Sequence, residues 1–297
     1  MKRHLVIRHV TEYRYAEPVG FGRHRMMFRP RDSHTLRLID STLKISPTPE
    51  RVRWAYDVFG NSVAHADFGD ATSDTLRFES MIGLLHYEAS EPTHLLSPTA
   101  EQYPFRYSDE ELPDLLPVMA MHQDAGTQRV MEWASNVARG KTASLDLLAA
   151  LMSEIRTSIA YRRRQNVGTQ TPSETLELRT GTCRDFAWLM IEILRGLGFA
   201  ARFVSGYIYS PNRSSHQGGG ATHAWVQVYL PGSGWIEMDP TNGIFGNRDL
   251  IRIAVARHHQ QAKPLSGAFI GKRTSYRGID VSVSVLEQTP VALDGSC

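Results

Sequence analysis

The period of the apolar residues changes twice along this chain, and this change constrains the fold more than any other feature. Over the first ~90 residues short stretches alternate with strand period, which predicts about four to seven strands in a small sandwich or barrel. Helical periodicity follows at 130–137, at 145–155 with Ser144 as the expected N-cap, and from Cys183 to Gly196. Strand periodicity returns at 199–209, 222–230, 234–239 and 279–285.

Proline separates the two parts of the chain. Prolines recur between residues 90 and 117 and interrupt regular structure, which predicts a connector laid over the surface. We expect a β-rich domain with its connector at 1–105, a core of helices and strands at 106–245, and a β extension at 246–297. The β-rich part shows no cluster of reactive side chains, so any chemistry is expected in the central core.

The composition excludes several classes of protein. The 33 basic and 31 acidic residues leave a formal net charge of +2, which argues against nucleic acid as an obligate partner. No apolar run approaches the ~18 residues of a membrane helix, and the first residues contain no signal-peptide h-region. We therefore expect a soluble cytoplasmic protein with no membrane partner.

Cysteine is scarce in this chain. The 2 cysteines cannot form a disulfide framework, and the sequence has no Cys-x-x-Cys pair for a structural zinc. Cys297 is the last residue of a polar tail, so we assign it no role. Cys183 remains as the candidate thiol nucleophile in the body of the chain.

Cys183 is predicted at the first position of a helix. Thr182 is a suitable N-cap, and Asp185 completes a Thr-x-x-Asp capping box. The helix dipole and the free backbone amides at this end favour a thiolate, and the amides can donate to an oxyanion. The apolar face shared with Ala187 and Met190 turns the thiol toward a neighbouring sheet. The alternative is that Cys183 is a small buried core residue.

A predicted hairpin carries a histidine and an aspartate. Residues 222–229 and 235–239 alternate with strand period on either side of a Pro-Gly-Ser-Gly turn signal. Centring the turn on Pro231 places His223 directly opposite Asp239 on one face, with Cβ atoms ~5 Å apart. At that distance the carboxylate can hold an imidazole nitrogen. A shift of register would alter this pairing, and each residue alone could have a purely structural purpose.

Together, Cys183, His223 and Asp239 indicate covalent acyl transfer. The thiolate would be the nucleophile, His223 would take its proton and later protonate the leaving amine, and Asp239 would fix the imidazole tautomer. Trp225 shares the face of His223 and could line the substrate cleft or merely pack. The loop that ends at Gly220 could be a flap over the site or a plain hairpin connection.

Other site chemistries fit the sequence less well. A metal site built from Cys183, His216, His223 and Asp239 has no zinc-like spacing, so we expect no metal. A serine hydrolase needs Gly-x-Ser-x-Gly between a strand and a helix, whereas the Gly-Ser-Gly segment at 232–234 lies in the hairpin turn. The three arginines at 162–164 could line the path of an acidic substrate or could simply be solvated.

Four blocks of sequence resemble the transglutaminase-like superfamily of papain-like thiol enzymes. They are Gly-x-Cys-Arg-Asp-Phe-Ala at 181–187, Val-Ser-Gly-Tyr at 204–207, Thr-His-Ala-Trp-Val at 222–226 and Trp-x-x-x-Asp-Pro-Thr at 235–241. The β-rich first part and the closing strand resemble the bacterial branch. The resemblance implies an α+β fold, with helices packed on an antiparallel sheet and an N-terminal all-β domain. It identifies Cys183, His223 and Asp239 as the triad and adds Tyr207 as a candidate substrate contact.

The resemblance does not specify one reaction. Members include transglutaminases, amide hydrolases, peptidases and proteins that have lost activity. This chain keeps the triad and has no Asp-x-Asp-x-Asp-Gly loop of the kind that binds calcium. We expect a cofactor-free cysteine peptidase or amidase that acts on a protein or peptide substrate. The alternatives are amine transfer by a protein-glutamine transglutaminase and a peptide-binding module without turnover.

Overall fold

The computed structural model describes residues 2–88, 95–122, 126–162, 168–211, 217 and 221–288. In chain order the strands are β1 Lys2–Phe21, β2 His24–Met26, β3 Leu36–Ser46, β4 Arg51–Tyr56, β5 Ser62–Asp67, β6 Thr72–Tyr87, β7 Ala160–Tyr161, β8 Thr180–Gly181, β9 Ala201–Ile208, β10 His223–Leu230, β11 Gly234–Asp239, β12 Ile244–Phe245, β13 Leu250–Ala256, β14 Leu265–Ser266, β15 Phe269–Ile270 and β16 Tyr276–Glu287. The α-helices are α1 Leu112–Met119, α2 Thr127–Ala138, α3 Ser144–Ser158, α4 Pro172–Leu178 and α5 Cys183–Gly196. Helices packed on antiparallel sheets confirm the α+β class.

The first six strands, together with β14, β15 and β16 from later in the chain, form two antiparallel sheets. One sheet has the order β15-β1-β6-β3, with β16 also paired to β1, and the other has the order β14-β2-β5-β4. Apolar residues of β1, β2, β5 and β6 meet between them, including Phe21, Met26 and Phe78, each at most 3% exposed. Of the two predicted forms, the sandwich is the one that the structure adopts.

A third sheet, in the order β12-β11-β10-β9-β13, forms the central core with the helices. Helix α5 packs on the face of β10 that carries Ala224, Val226 and Val228, as the alternation predicts. Residues 186–194 of α5 are at most 2% exposed, because α2 and α3 contribute to the same apolar cluster from the other side. A helix buried along its length holds its first residue in a fixed position, which matters for the site described below.

A buried ion pair stands near the far end of α5. Arg195 Nη1 donates to Glu192 Oε1 at 3.0 Å, and both side chains are 2% exposed. The same guanidinium donates to the carbonyl oxygens of Val118 and Ala201. These bonds join α5 to α1 and to β9, so the pair fixes the helix against two neighbouring elements.

The sandwich docks on the core sheet through an apolar interface and one side-chain amide. Leu5 and Ile82 of the sandwich contact Tyr207 and Ile251 of β9 and β13 in one cluster. Asn61 Nδ2 donates to Val255 O at 2.7 Å, and Val255 N donates to Asn61 Oδ1 at 2.9 Å. The amide thus satisfies both backbone groups of a residue in edge strand β13, which holds the sandwich in register with the core.

Several local features differ from the sequence prediction. Helix α1 begins inside the proline-rich region at 90–117 predicted as a connector, and α4 lies in a stretch before Cys183 for which the sequence predicts no helix. Ser144 is the first helical residue, because Ala143 is the N-cap of α3. The predicted strand at 279–285 is confirmed and is longer, as β16. Among the described residues, no helix is long and apolar enough to cross a membrane.

Candidate active site

The first residue of α5 is Cys183, and Thr182 is its N-cap, as predicted. Cys183 is 7% exposed, so its thiol lies at the edge of the core and not in open solvent. The backbone amides of the first helical turn have no partner within the helix and point outward beside it. The start of the helix therefore offers the thiolate-stabilising and oxyanion-binding groups that the sequence predicts.

Asp185 fixes this helix start. Its Oδ2 accepts from Thr182 N at 2.7 Å and from Thr182 Oγ1 at 2.8 Å, and its Oδ1 accepts from Gln170 N at 2.7 Å. The residue is completely buried. Gly181 allows this arrangement, because a Cβ there would lie 3.0 Å from the Asp185 Cβ and 3.2 Å from the ring of Phe186. The segment before Cys183 is thus packed tightly in one conformation.

Strands β10 and β11 form the predicted hairpin, but the predicted register is wrong by two residues. Gln227 lies opposite Glu237, and Val226 lies opposite Met238. A shift of two residues keeps every side chain on its own face of the sheet. His223 and Asp239 therefore still share a face, and His223 Nε2 and Asp239 Oδ2 are 2.7 Å apart.

Asp239 is fully buried, and two residues besides His223 donate hydrogen bonds to its carboxylate. Oδ1 accepts from Thr241 N at 2.9 Å, and Oδ2 accepts from Asn242 Nδ2 at 2.7 Å. Burial opposes ionisation, but His223 and these donors outweigh it and hold the pKa of Asp239 below its usual value. The carboxylate is therefore ionised at neutral pH and orients the imidazole.

His223 is held between Asp239 and Cys183. Its side chain is fully buried, and burial alone would lower its pKa; the charge and hydrogen bond of Asp239, together with Cys183, instead raise it to about 10. Because Nε2 faces Asp239, the other ring nitrogen, Nδ1, is available for the thiol. Nδ1 is buried and has no hydrogen bond of ordinary geometry to a described residue. The arrangement favours an imidazolium beside the sulfur.

The three side chains predicted to contact substrate fall in different places. The ring of Trp225 is completely buried and stacks on His223, with centroids 5.8 Å apart. Tyr207 is 1% exposed, and its hydroxyl lies 2.8 Å from His9 Nδ1 in the interface with the sandwich. Gly220 lies outside the described residues, as do His216 and Cys297. The structure thus brings Trp225 to the triad and sets Tyr207 among the sandwich contacts.

Trp225 is fixed by a polar network on its own face of the sheet. Its Nε1 donates to Glu237, which also accepts from Gln227 Nε2 at 2.6 Å and from Arg252 Nη1 at 3.2 Å. Gly206 lies beneath the ring, where a Cβ would come within 2.7 Å of the indole. Trp225 is therefore a rigid support for the imidazole.

Asn242 is a residue of the site that the sequence prediction missed. Besides its bond to Asp239, its Nδ2 lies 3.4 Å from His223 Nε2, and its Oδ1 accepts from Gln217 N at 2.8 Å. Its position three residues after Asp239, in the turn that follows Asp-Pro-Thr, is the signal that could have identified it.

An open cleft of about 530 Å³ adjoins these residues. Phe186, one turn along α5 from Cys183, forms part of its wall, as do Thr241 and Asn242 of the turn after Asp239. Tyr161 of β7 lies opposite Gly181 of β8 and completes this side. The cleft is large enough for several peptide side chains and is the candidate approach for a substrate.

Two family models match the chain. Residues 131–240 match the model described as the transglutaminase-like superfamily, and residues 5–82 match the bacterial transglutaminase-like N-terminal region. The first range contains Cys183, His223 and Asp239, and the second coincides with most of the sandwich strands.

Individual proteins resemble the chain to different extents. An uncharacterized protein of Mycobacterium tuberculosis is 29% identical over 302 residues, which cover 94% of this chain and 91% of that protein. A protein-glutamine gamma-glutamyltransferase of Pseudomonas aeruginosa is 33% identical over 78 residues, which cover 22% of this chain and 10% of that protein. The crystal structure of a candidate cysteine protease from Cytophaga hutchinsonii superposes with a TM-score of 0.74 at 18% identity, covering 97% of this chain and 92% of that one. The last likeness shows a shared fold.

Proposed function

Because residues 131–240 of this chain belong to the transglutaminase-like superfamily and residues 5–82 to the bacterial N-terminal region of that family, we propose that it is a thiol enzyme for acyl transfer. Cys183 attacks the carbonyl carbon of a carboxamide or peptide bond, and water releases the acyl group. The substrate is a protein or peptide, and the site works without a cofactor. The single observation that carries this proposal is the buried bond between His223 and Asp239 beside a cysteine at the start of a helix.

The proposed reaction has two steps. In the first, the sulfur of Cys183 forms a bond to the carbonyl carbon, the carbon–nitrogen bond breaks, and the imidazolium of His223 gives its proton to the leaving amine. In the second, neutral His223 takes a proton from water, the hydroxide oxygen bonds to the thioester carbon, and the carbon–sulfur bond breaks. Asp239 holds the imidazole in the tautomer that leaves Nδ1 toward the sulfur.

Amine transfer is the second candidate. It is favoured by the local identity to the Pseudomonas aeruginosa protein-glutamine gamma-glutamyltransferase. In this reaction a primary amine replaces water in the second step, and His223 deprotonates that amine. The two candidates share every step up to the thioester, so only the acceptor distinguishes them.

The deciding experiment incubates the full chain with a peptide library and a labelled primary amine, followed by mass spectrometry. Cleavage or deamidation is expected, and incorporation of the amine would establish transfer. Cys183→Ser is the matched control that must abolish either product. Both candidates would be contradicted if the wild-type chain gave neither product and if His223→Ala left the iodoacetamide labelling of Cys183 unchanged. That outcome would leave a peptide-binding module.

We propose the cytoplasm as the location of the protein.

A further inference from the structure

The cleft beside the triad carries positive charge without compensating carboxylates. Among the described residues that line it, the charged side chains are Arg156 of α3 and Arg179 at the end of α4. Neither guanidinium forms a hydrogen bond or an ion pair with a residue in the described part of the chain. Two unpaired arginines in one concave surface create a positive potential that attracts anions.

Arg156 stands on the turn that follows Asp239. A Cβ added to Gly243, whose φ is +70°, would lie 2.6 Å from Arg156 Nη1 and 3.4 Å from its Cδ. The arginine therefore lies against the backbone of the turn that holds Thr241 and Asn242. Gly243 N of that turn donates to Asp239 O at 2.8 Å, so the arginine lies on the backbone that is bonded directly to Asp239.

Arg179 occupies a backbone position that favours glycine. It follows the last residue of α4 with φ 49° and ψ 29°, and it is the one non-glycine residue with positive φ in the described chain. A side chain in this left-handed region costs on the order of 1 kcal/mol, so glycine or asparagine is usual there. An arginine that bears this cost and lines the cleft has a use for its side chain. It stands immediately before Thr180 and Gly181, the segment that leads to Cys183.

A buried hydroxyl in the same wall also lacks a partner. Thr241 is 4% exposed, and its Oγ1 has no hydrogen-bond partner among the described residues. The residue lines the cleft, and its backbone N–H already donates to Asp239. A buried hydroxyl without a partner is costly unless a ligand satisfies it. It adds a polar group to the wall of the cleft that Arg156 and Arg179 also line.

We propose that this cleft is a subsite for an anionic group of the substrate, such as an acidic side chain or a terminal carboxylate near the bond that Cys183 attacks. Arg156 and Arg179 supply the positive charge, and the hydroxyl of Thr241 supplies a hydrogen bond. The inference rests on the proposed function, because it takes Cys183 as the nucleophile. It assigns the selection of acidic substrates to these two arginines; of the three arginines at 162–164 considered above, Arg163 and Arg164 lie outside the described residues.

The test compares two alkylating reagents of similar size at the Cys183 sulfur. Iodoacetate is an anion and iodoacetamide is neutral, and each loses iodide as the sulfur–carbon bond forms. Rates are read on the peptide that contains Cys183, so alkylation of Cys297 does not interfere. The variants are Arg156→Gln, Arg179→Gln and the double variant. The matched control is Arg29→Gln with Arg37→Gln, which removes the same charge from exposed arginines of the sandwich region.

The ratio of the iodoacetate rate to the iodoacetamide rate should fall about threefold in each single variant and roughly tenfold in the double variant. The ratio of the wild-type chain should fall with added salt, and the control should keep the wild-type ratio. An unchanged ratio in the double variant, or an equal fall in the control, would overturn the subsite. Failure of iodoacetamide itself to react with Cys183 in a His223-dependent way would instead overturn the proposed function.

Discussion

Replacing Asp239 by asparagine is the sharpest test of the proposed catalytic geometry. The substitution keeps the volume of the side chain and removes one charge. Thr241 N donates to Oδ1 and cannot turn away, so the amide oxygen must take that position and the new NH₂ group must take the position of Oδ2. The NH₂ group would then donate to His223 Nε2, which places the ring proton on Nδ1. In that tautomer the imidazole cannot take the proton of Cys183.

The size of the effect follows from the pKa of His223. Its value of about 10 against an ordinary 6.5 corresponds to about 5 kcal/mol in favour of the imidazolium. Asp239 supplies the larger share of this stabilisation and Cys183 the remainder. Removing one partner of a buried charge pair costs on the order of 3–5 kcal/mol, so Asp239→Asn should lower the rate at which the thiolate reacts at neutral pH by roughly 10²- to 10⁴-fold.

The assay is the rate of iodoacetamide alkylation of Cys183 across a pH series, with circular dichroism to show that the variant is folded. Wild-type chain should react over a broad range that extends to low pH, whereas Asp239→Asn should need alkaline pH. Asp249→Asn is the control, because Asp249 is also buried and forms an ion pair with Arg3, whose Nη1 lies 2.7 Å from Asp249 Oδ1. A folded Asp239→Asn chain that reacts within threefold of the wild-type rate at neutral pH would refute the reasoning.

Three further predictions concern the residues around this pair. The pKa of His223 in the folded chain is raised to about 10, so its contribution to the free energy of unfolding is fully present below pH 6.5 and is lost as pH rises toward 10. In urea unfolding, the stability advantage of wild type over His223→Gln should shrink over that window, by at most about 1.4 kcal/mol per pH unit. A difference that stays constant with pH would contradict the raised pKa of His223. Gly206→Ala should lower the free energy of unfolding by about 1–3 kcal/mol in the same assay, because its methyl group would lie 2.2 Å from Ile251 O and would also contact the Trp225 ring. An unchanged free energy of unfolding would contradict this tight packing and show that the strand shifts to make room. Arg195→Met should cost about 3–5 kcal/mol, because it leaves Glu192 buried without its partner, and Arg195→Met with Glu192→Met should recover much of this loss.

Much of the site could be predicted because its signals are local. Thr182 and Asp185 mark the helix start within four residues, and strand alternation fixes the face on which His223 and Asp239 stand. The register was wrong because the turn was centred on Pro231. Pro231 and Gly232 are the middle residues of a turn in which Ser233 N donates to Leu230 O at 3.1 Å, and Gly232 has a φ of 82°. A proline followed by a left-handed glycine is typical of a type II turn. With Ser233 the loop has three residues between the paired Leu230 and Gly234, so the pairing is centred on Gly232, one residue after Pro231.

Two missed helices show different limits of sequence reasoning. Helix α4 had a readable start, because Thr171 is its N-cap, Pro172 is its first residue, and Glu174 Oε2 accepts from Thr171 N at 2.8 Å. Helix α1 contains Pro113 in its first turn and Pro117 inside, which argues against a helix by propensity. It forms because Leu115 and Val118 pack on Tyr107 and Ala200, contacts that no local pattern reveals.

The pairing of β1 with β16 has a consequence for the order in which the chain can fold during synthesis. Leu5 pairs with Glu287 and Tyr15 with Tyr276, so the first strand pairs with the last strand of the described chain. At about 5–20 residues per second, the ribosome adds Glu287 roughly 15–60 s after Leu5. During that interval one edge of a 20-residue strand is open to pairing with other chains. The nascent sandwich therefore exposes this strand edge until β16 has been synthesised.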